Sequence, residues 1–584
     1  MTQKLPVPHP IRAAAVQLAV TNDVVANLAT CCRLIDEAAQ QRPHIVTLPE
    51  FCNHLAWYED RDHSYAVALE LDGPFLRTIG VKAAEHRLYL SLNCTVRRPE
   101  KKVTGTNLLF GPDGRLLAQA DKQVLMGNEN NFLEPAGQSC EIIHLPWGRV
   151  GLYCCMDGVI FETARGLAVR GAQLLLNSLN SFAKDEGSLH IPVRAAENKV
   201  FVVAANKVGP LVPPEMLAVV AARLQIAPEQ LHGAGHSQIV APDGTVLAAA
   251  PASGEAIIWA DLDLTQADDK LRPDGTDIMQ TRRPSLYQPF RQPPQPRQKP
   301  TGAEEVMAAV AESYSVLRIA YSVDDATQHA IRTMQLIVLP ELAFVPEGRV
   351  TDPAQAAEQA AEGVAQTQAL LSGTETVIAT TIVELMEDRR RKTEDGGIAS
   401  VVRRPSSVQH TAVLISHKGI ILRQPQLHAC GRHPWVTALG EELVTLDLPW
   451  GRLGLVAGND AIYPETFRLL ALQDVEVTAV STQILEAWEA SLGLLERAAE
   501  NRLNLVVGSR RDGMVLAADP DFTLWTPWQK RPFDGNINYP IVTRATAPGL
   551  TCAPIYPAAS ANRTISQKTN VVESRPWWLA ETLL

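Results

Sequence analysis

The chain repeats itself, and that repetition restricts its fold more than any other feature. "LPWGRVGLYCCMDGVIFE" (Leu145 to Glu162) is echoed by "LPWGRLGLVAGNDAIYPE" (Leu448 to Glu465). "RAAENKVFVVAANKVG" (Arg194 to Gly209) is echoed by "RAAENRLNLVVGSRRDG" (Arg497 to Gly513). "HIVTLPEF" (His44 to Phe51) meets "LIVLPELAF" (Leu336 to Phe344), and "TNLLFGPDGRLL" (Thr106 to Leu117) meets "TAVLISHKGIIL" (Thr411 to Leu422). The matches keep their order, at offsets between 291 and 305. Chance similarity does not preserve order over so much chain, so this is an internal duplication. Solenoid repeats run to about 20–50 residues. A period near 300 residues means two whole domains, which suits a chain of 584.

A boundary is visible between the copies. "RRPSLYQPFRQPPQPRQKPTGAEE" (Arg282 to Glu305) is dense in Pro, Gln and Arg and poor in large apolar residues. Such composition stays extended and makes a semi-rigid linker. The expected division is a first domain over 1–290, a linker over 291–302 and a second domain over 303–584. The stretch "MEDRRRKTEDGGIASVVRRPSS" (Met386 to Ser407) has no counterpart in the first copy and reads as an exposed, mobile loop.

Within the first copy the elements alternate. "AAAVQLAV" reads as a buried strand, "TNDVVANLATCCRLIDEAAQQ" as a helix with Thr and Asn at its start, and "HIVTLPE" as a strand ending in charge. "LDGPFLRTIGVKAAEHR" reads as a helix, and "LYLSLNCTV" as another strand. "NLLFGPDGRLLAQADK" reads as a hairpin turning at Pro112-Asp113-Gly114. Alternation of this kind indicates a layered α/β fold with helices covering a sheet.

Composition excludes several classes. A net charge of −11 leaves no basic footprint for nucleic acid. No apolar run reaches the roughly 20 residues of a membrane span, and the first residues lack the long apolar core of a secretion signal. Of nine cysteines, seven fall in the first 155 residues. That is no disulfide framework and suggests a reducing, cytoplasmic setting. A metal site is not expected: there is no CxxC pair, and the one HxxxH spacing, His232 and His236 in "HGAGH", carries glycines that argue against a helix.

Polar residues at the ends of buried strands are candidates for chemistry. Glu50 ends "IVTLPE", Lys122 ends the second hairpin strand, and Cys155 follows "RVGLYC". The segment "FETARGLAVRG" after it is helical in pattern, and a thiolate at a strand-to-helix junction feels the helix N-terminus, which lowers its pKa. A carboxylate beside a thiol can take its proton, and an ammonium can hold a developing oxyanion. Lone cysteines usually pack as small hydrophobes. That reading is kept for Cys31, Cys32, Cys52, Cys94, Cys140, Cys154, Cys430 and Cys552. Glu197 and Asn198 of "RAAEN" read as structural, a buried carboxylate with fixed partners.

"LPE", "DK" and "GLYCCMD", in that order and spacing, resemble the nitrilase or carbon–nitrogen hydrolase superfamily. "NLLFGPDG", "RAAENKVFVVAANKVG", "GHSQIVAPDGTVLA" and "RRPSLY" support the resemblance, which covers most of both copies. It implies two αββα-sandwich domains in tandem, packed as a pseudo-twofold dimer within one chain. It also implies a Glu–Lys–Cys triad: Glu50 as general base, Lys122 as oxyanion support and Cys155 as nucleophile. Glu129 in "KQVLMGNENNF" fits the family's further glutamate, which orients the lysine. In the family the nucleophile is followed two positions later by Asp or Glu, which selects Cys155, with Asp157, over Cys154. The implied reaction is hydrolysis of a small carboxamide or N-carbamoyl compound through a thioester, with no cofactor and no metal. Nitrile hydrolysis is the second reading, and a non-catalytic assembly or regulatory protein the third. Expected partners are the small substrate and, for the two-domain chain, a possible homo-oligomer, with neither nucleic acid nor membrane.

The second copy lacks this chemistry. Glu341 survives from "LPE". At an offset of 305 Lys122 falls on Leu427, at 303 Cys155 falls on Gly458, and no glutamate stands for Glu129 in "LHACGRHPW". The second domain therefore reads as a catalytically silent copy that provides a partner surface.

Overall fold

The computed structural model describes residues 10–299, 301–323, 332–386, 407–524, 533–545 and 549–584. The loop expected over Met386 to Ser407 lies almost wholly at 387–406, outside the described residues.

Each copy folds as two facing six-stranded sheets with helices on the outside. In the first copy, β1 (Ile11–Gln17), β2 (Ile45–Thr47), β3 (Tyr89–Arg98), β4 (Lys102–Phe110), β5 (Leu116–Asp121) and β12 (Ala256–Leu262) form one sheet, in the order β12-β1-β2-β3-β4-β5. The other holds β6 (Ile143–Leu145), β7 (Gly148–Cys154), β8 (Leu174–Ser178), β9 (Phe201–Ala205), β10 (Gln238–Val240) and β11 (Val246–Ala249), ordered β11-β10-β9-β8-β7-β6. The central strands β1, β2, β3 and β7, β8, β9 run parallel, and the edges are antiparallel.

Successive residues of a strand face opposite ways. In β1, Ala13 and Ala15 point between the sheets, where they meet Leu152, Leu174 and Val202. Ala14 and Val16 point outward onto the helices Val24–Ala39 and Pro74–His86, against Leu34, Ile35, Ile79 and Ala83. A strand buried on both faces must be apolar throughout, which is why these strands read as continuous apolar runs. The first helix is capped by Asp23, whose side chain accepts from the N–H groups of Val25 and Ala26, and not by the Thr and Asn before it. The strand expected over "HIVTLPE" stops at Thr47, so Pro49 and Glu50 lie beyond the sheet. The hairpin forms as expected, with Thr106 opposite Asp121. The second copy repeats the pattern around Val306–Ala311, Leu336–Val338 and Val377–Met386 in one sheet and Gly451–Ala457, Val477–Ser481 and Asn504–Gly508 in the other.

The copies meet through the helices Glu162–Val169 and Ile191–Ala196 of the first and Pro464–Leu472 and Leu494–Asn501 of the second. Arg165 pairs with Glu465 at 2.8 Å, and Arg468, the counterpart of Arg165, pairs with Glu162, the counterpart of Glu465, at 2.7 Å. Arg194 pairs with Glu500 at 2.7 Å, and their counterparts Arg497 and Glu197 pair in return. A contact of i with j matched by one of j with i is the signature of a twofold interface. The halves are a pseudo-twofold dimer in one chain. These side chains are fully or almost fully buried. Glu197 is held below the usual carboxylate range: burial pushes it up, but Arg194 and Arg497 outweigh burial.

The ends of the copies cross over. Gly127 donates its N–H to Thr569 Oγ1 of the second copy at 2.8 Å, and its counterpart Gly431 donates to Thr276 Oγ1 of the first at 2.9 Å. Trp578 Nε1 donates to the carbonyl of Ala136. The Pro/Gln-rich segment docks on the second copy, with Arg297 on Glu476 and Lys299 on Asp447. Among the described residues no helix is long and apolar enough to cross a membrane.

Removing one partner of a buried ion pair leaves the other charge uncompensated, at a cost of about 3–5 kcal/mol. Arg468→Met is expected to lose stability of that order in urea unfolding, and adding Glu162→Gln to restore most of it. A single variant as stable as the parent would mean that the reciprocal pairs do not hold the halves together.

Candidate active site

The site of the first copy lies where β2, β5 and β7 end. Lys122 follows β5 and is wholly buried. Its Nζ donates to Glu50 at 2.8 Å and to Glu129 at 2.9 Å. Glu129 is fixed in turn by the N–H of Met126, which donates to its Oε2 at 2.9 Å. Burial alone would lower the lysine pKa, but Glu129 and Glu50 outweigh it and hold the ammonium well above its ordinary value. Glu50 uses one carboxylate oxygen for Lys122, and its buried Oε2 makes no hydrogen bond.

Cys155 follows β7 at φ 48° and ψ −113°, a strained conformation for a residue with a side chain. Its N–H donates to Asn177 Oδ1 at 3.1 Å. Asp157 accepts from the N–H groups of Gln123 and Val124 at 3.0 and 2.8 Å, so the turn after Cys155 is tied to the segment after Lys122. The nucleophile turn differs from expectation in two respects. An extra helical turn, Met156–Val159, separates Cys155 from the helix expected over "FETARGLAVRG", which forms as expected at Glu162–Val169. The Cys155 thiol is also pushed well above its ordinary pKa, by burial first and by Glu50 second, with Lys122 opposing. Burial and Glu50 together favour the thiol over the thiolate. Cys154 is fully buried in the strand, whereas Cys155 is half-buried and lines a cavity.

That cavity measures about 260 Å³ and also holds Glu129 and Glu186. Its walls are mainly apolar, including Met156, Val159 and Phe182. Two contributors were not legible as site residues. The insertion carrying the helix Pro214–Leu224, absent from the second copy, supplies Val220 and Leu224. The second copy supplies Ile537 and Ser566. Gly127 sits at φ 51° against Ser566, where a Cβ would come within 2.9 Å of the serine hydroxyl. No Lys, Arg or His lines the cavity among the described residues. Glu186 is pushed up to about 8, by burial first, with His190 opposing and Asp185 adding. Lys207, buried near the ring of Phe51, is lowered to about 8 by burial.

The equivalent positions in the second copy are fixed by hydrogen bonding. Asp460 accepts from the N–H groups of Leu427 and His428, as Asp157 does from Gln123 and Val124. Gln426 donates its N–H to the carbonyl of His410, as Lys122 does to that of Gly105. The lysine position is therefore Gln426, one residue before the expected Leu427. By the same register Glu129 corresponds to His433, Gly105 to His410 and Cys155 to Gly458, which keeps φ at 53°. Two groups of three metal-binding side chain types occur among the described residues: Glu341, His410 and His433 here, and Asp36, Glu85 and His86 near the surface of the first copy. His232 and His236 belong to neither.

Strand order, crossing ends and a lysine held between two carboxylates beside a strand-end cysteine define one class of protein. The carbon–nitrogen hydrolase family model matches residues 12–269 and 290–505, and the chain belongs to that family. It is an enzyme family acting on C–N bonds. The omega-amidase of Bos taurus is 32% identical over 266 residues, covering 43% of this chain and 88% of the relative. A nitrilase of Pyrococcus abyssi is 26% identical over 255 residues, covering 44% and 90%. The solved amidase from Nesterenkonia sp. AN1 is 23% identical, with a TM-score of 0.39, over 48% of this chain and 99% of its own.

A carboxyl group whose folded pKa is raised contributes stability that is present below its unfolded pKa and is lost as pH rises to the folded value. For Glu186 the window runs from the ordinary 4.5 to about 8. Glu186→Gln is expected to flatten the fall in stability across that window and to be the more stable protein above pH 8. Parallel stability–pH curves for the two proteins would show that Glu186 is not held neutral.

Proposed function

We propose that the first copy hydrolyses a small, uncharged carboxamide or N-carbamoyl compound, with Cys155 as nucleophile, and that the second copy is catalytically silent. The observation that carries the reading is Lys122 held between Glu50 and Glu129 at 2.8 and 2.9 Å, next to the cavity that Cys155 lines. The free Oε2 of Glu50 takes the thiol proton, since the thiol is neutral at rest. The thiolate adds to the carbonyl carbon, and Lys122 with a backbone N–H stabilises the oxyanion. The protonated glutamate gives its proton to the departing ammonia or amine, leaving a thioester. Water, deprotonated by the same carboxylate, then hydrolyses that ester. Glu129 keeps the ammonium aimed while Glu50 changes charge.

The cavity supports an apolar acyl group. It has no cationic side chain beyond the reacting lysine to pair a substrate carboxylate, and Glu186 would repel one once ionised. A neutral aliphatic amide is therefore expected to exceed an amide of similar length ending in a carboxylate by at least tenfold in kcat/KM, a discrimination of about 1.4 kcal/mol. An ammonia-release assay over amides, carbamoyl amines and nitriles tests this. Preference for the anionic amide would overturn the substrate assignment, and turnover confined to nitriles would overturn the reaction.

Cys155→Ala is expected to abolish turnover by several orders of magnitude, while Cys154→Ala costs about 1–3 kcal/mol of stability and leaves chemistry intact. Mass spectrometry should find a trapped acyl group on a peptide containing Cys155. Activity retained without Cys155 and lost without Cys154 would move the nucleophile by one residue. An adduct in the second copy, at Cys430 for instance, would overturn its silence.

A further inference from the structure

The four positions that hold Glu50, Lys122, Cys155 and Glu129 in the first copy hold Glu341, Gln426, Gly458 and His433 in the second. His410 replaces Gly105 beside them. These substitutions form a new constellation. His433 Nε2 lies 2.9 Å from Glu341 Oε1, and His410 Nε2 lies 3.8 Å from the same oxygen. All three atoms fall within 4.8 Å of one another. The three residues are buried, His410 completely.

The protonation pattern of the rings follows from Gln426. Its Nε2 donates to the carbonyl of His428 at 2.5 Å, which fixes the amide orientation. Its Oε1 can then only accept, and both His410 Nδ1 at 2.7 Å and His433 Nδ1 at 3.0 Å lie on it. Each ring therefore carries a proton on Nδ1 and turns Nε2 towards Glu341. His433 Nε2 pairs with Glu341 Oε1, whereas His410 Nε2 is buried without a hydrogen-bond partner. A buried nitrogen left unmatched is costly, and a cation that displaces the His433–Glu341 proton would be met by His410 Nε2 together with that pair.

We propose that the second copy binds one divalent transition-metal ion, with Zn2+ the best fit, through Glu341 Oε1, His410 Nε2 and His433 Nε2, with Gln426 orienting both rings. Two histidines and a carboxylate form an established zinc ligand set, which leaves a fourth position for water. Zinc ligand atoms at about 2.0–2.1 Å from the metal lie about 3.3 Å apart in a tetrahedron, close to the spacings present. A ligand histidine held through its other nitrogen is the usual supporting arrangement. Arg432 does not compete: it pairs with Glu341 through Oε2, at 2.9 Å, and lies near Asp274. Gly458 makes the cluster possible, because a Cβ there would stand 2.5 Å from Glu341 Oε1 and 2.9 Å from His410 Cε1. Restoring a cysteine at 458 and forming this site are mutually exclusive. The site owes nothing to the hydrolase chemistry of the first copy, and its test does not use turnover.

The full chain, stripped with a chelator, is titrated with Zn2+ by calorimetry and with Co2+ by visible absorption. One equivalent of each is expected, with the ligand-field bands of four-coordinate Co2+. X-ray absorption of the Zn2+ form should count two imidazoles. His410→Ala should abolish the stoichiometric uptake. Gln426→Leu, which leaves every ligand in place, should weaken binding by about 10–100-fold, as loss of an outer-shell partner does. No stoichiometric uptake by the unaltered chain, uptake that survives both His410→Ala and His433→Ala, or an imidazole count other than two would each overturn the proposal. The imidazole count stands even where a variant fails to fold.

Discussion

The ring of Arg194, Glu197, Arg497 and Glu500 is the contact on which the arrangement of the two copies depends. Each arginine meets the glutamate three residues on in its own helix and the equivalent glutamate of the other copy. Arg194 also holds Glu496 at 2.5 Å beside Glu500, and burial with these neighbouring carboxylates pushes Glu500 up to about 7. Exchanging a buried ring of this kind for apolar residues often costs nothing, so its value lies in geometry. The reciprocal Arg194–Glu500 and Arg497–Glu197 pairs tie the two helices together across the axis. The Arg165–Glu465 and Arg468–Glu162 pairs repeat that constraint one layer further out, which fixes the pseudo-twofold axis.

Once the axis is fixed, each copy's end lands on the other copy's site region. Thr569 reaches Gly127 and Thr276 reaches Gly431 by the same contact. The cavity that Cys155 lines is therefore completed by Ser566 and Ile537, residues far along the chain. This gives a physical reason for the second copy, which has Gly458 where the first has Cys155, to keep a well-packed core. Its strands remain buried on both faces because their outer faces carry the helices that make the interface.

The duplication, the sandwich strands and the meeting of Lys122 with Glu50 and Glu129 were legible in the sequence, because doubly buried strands are uniformly apolar and the family's motifs are contiguous. Other features were not. Nothing in "RAAENK" says that its Arg and Glu pair with a second "RAAENR", although the three-residue spacing places both on one helical face. The cavity wall from the helix Pro214–Leu224 drew no reading from the sequence, because the second copy has no counterpart to set beside it. The lysine position in the second copy was placed one residue late, since a one-residue change in the loop offset is invisible where neither residue is charged. The His410–His433 cluster joins a strand to a loop 23 positions on, a spacing that no short metal motif contains.

The central claim is that two copies, one with a triad and one without, make a single working unit. Cutting the gene between Arg291 and Pro300 and assaying each half alone and combined tests it most directly. The account predicts that the first half alone aggregates or is inactive, because it exposes the Arg194 face and lacks Ser566 and Ile537. Amide hydrolysis should return when the second half is co-expressed or mixed in. A first half that is a soluble monomer with the full chain's activity would contradict the claim.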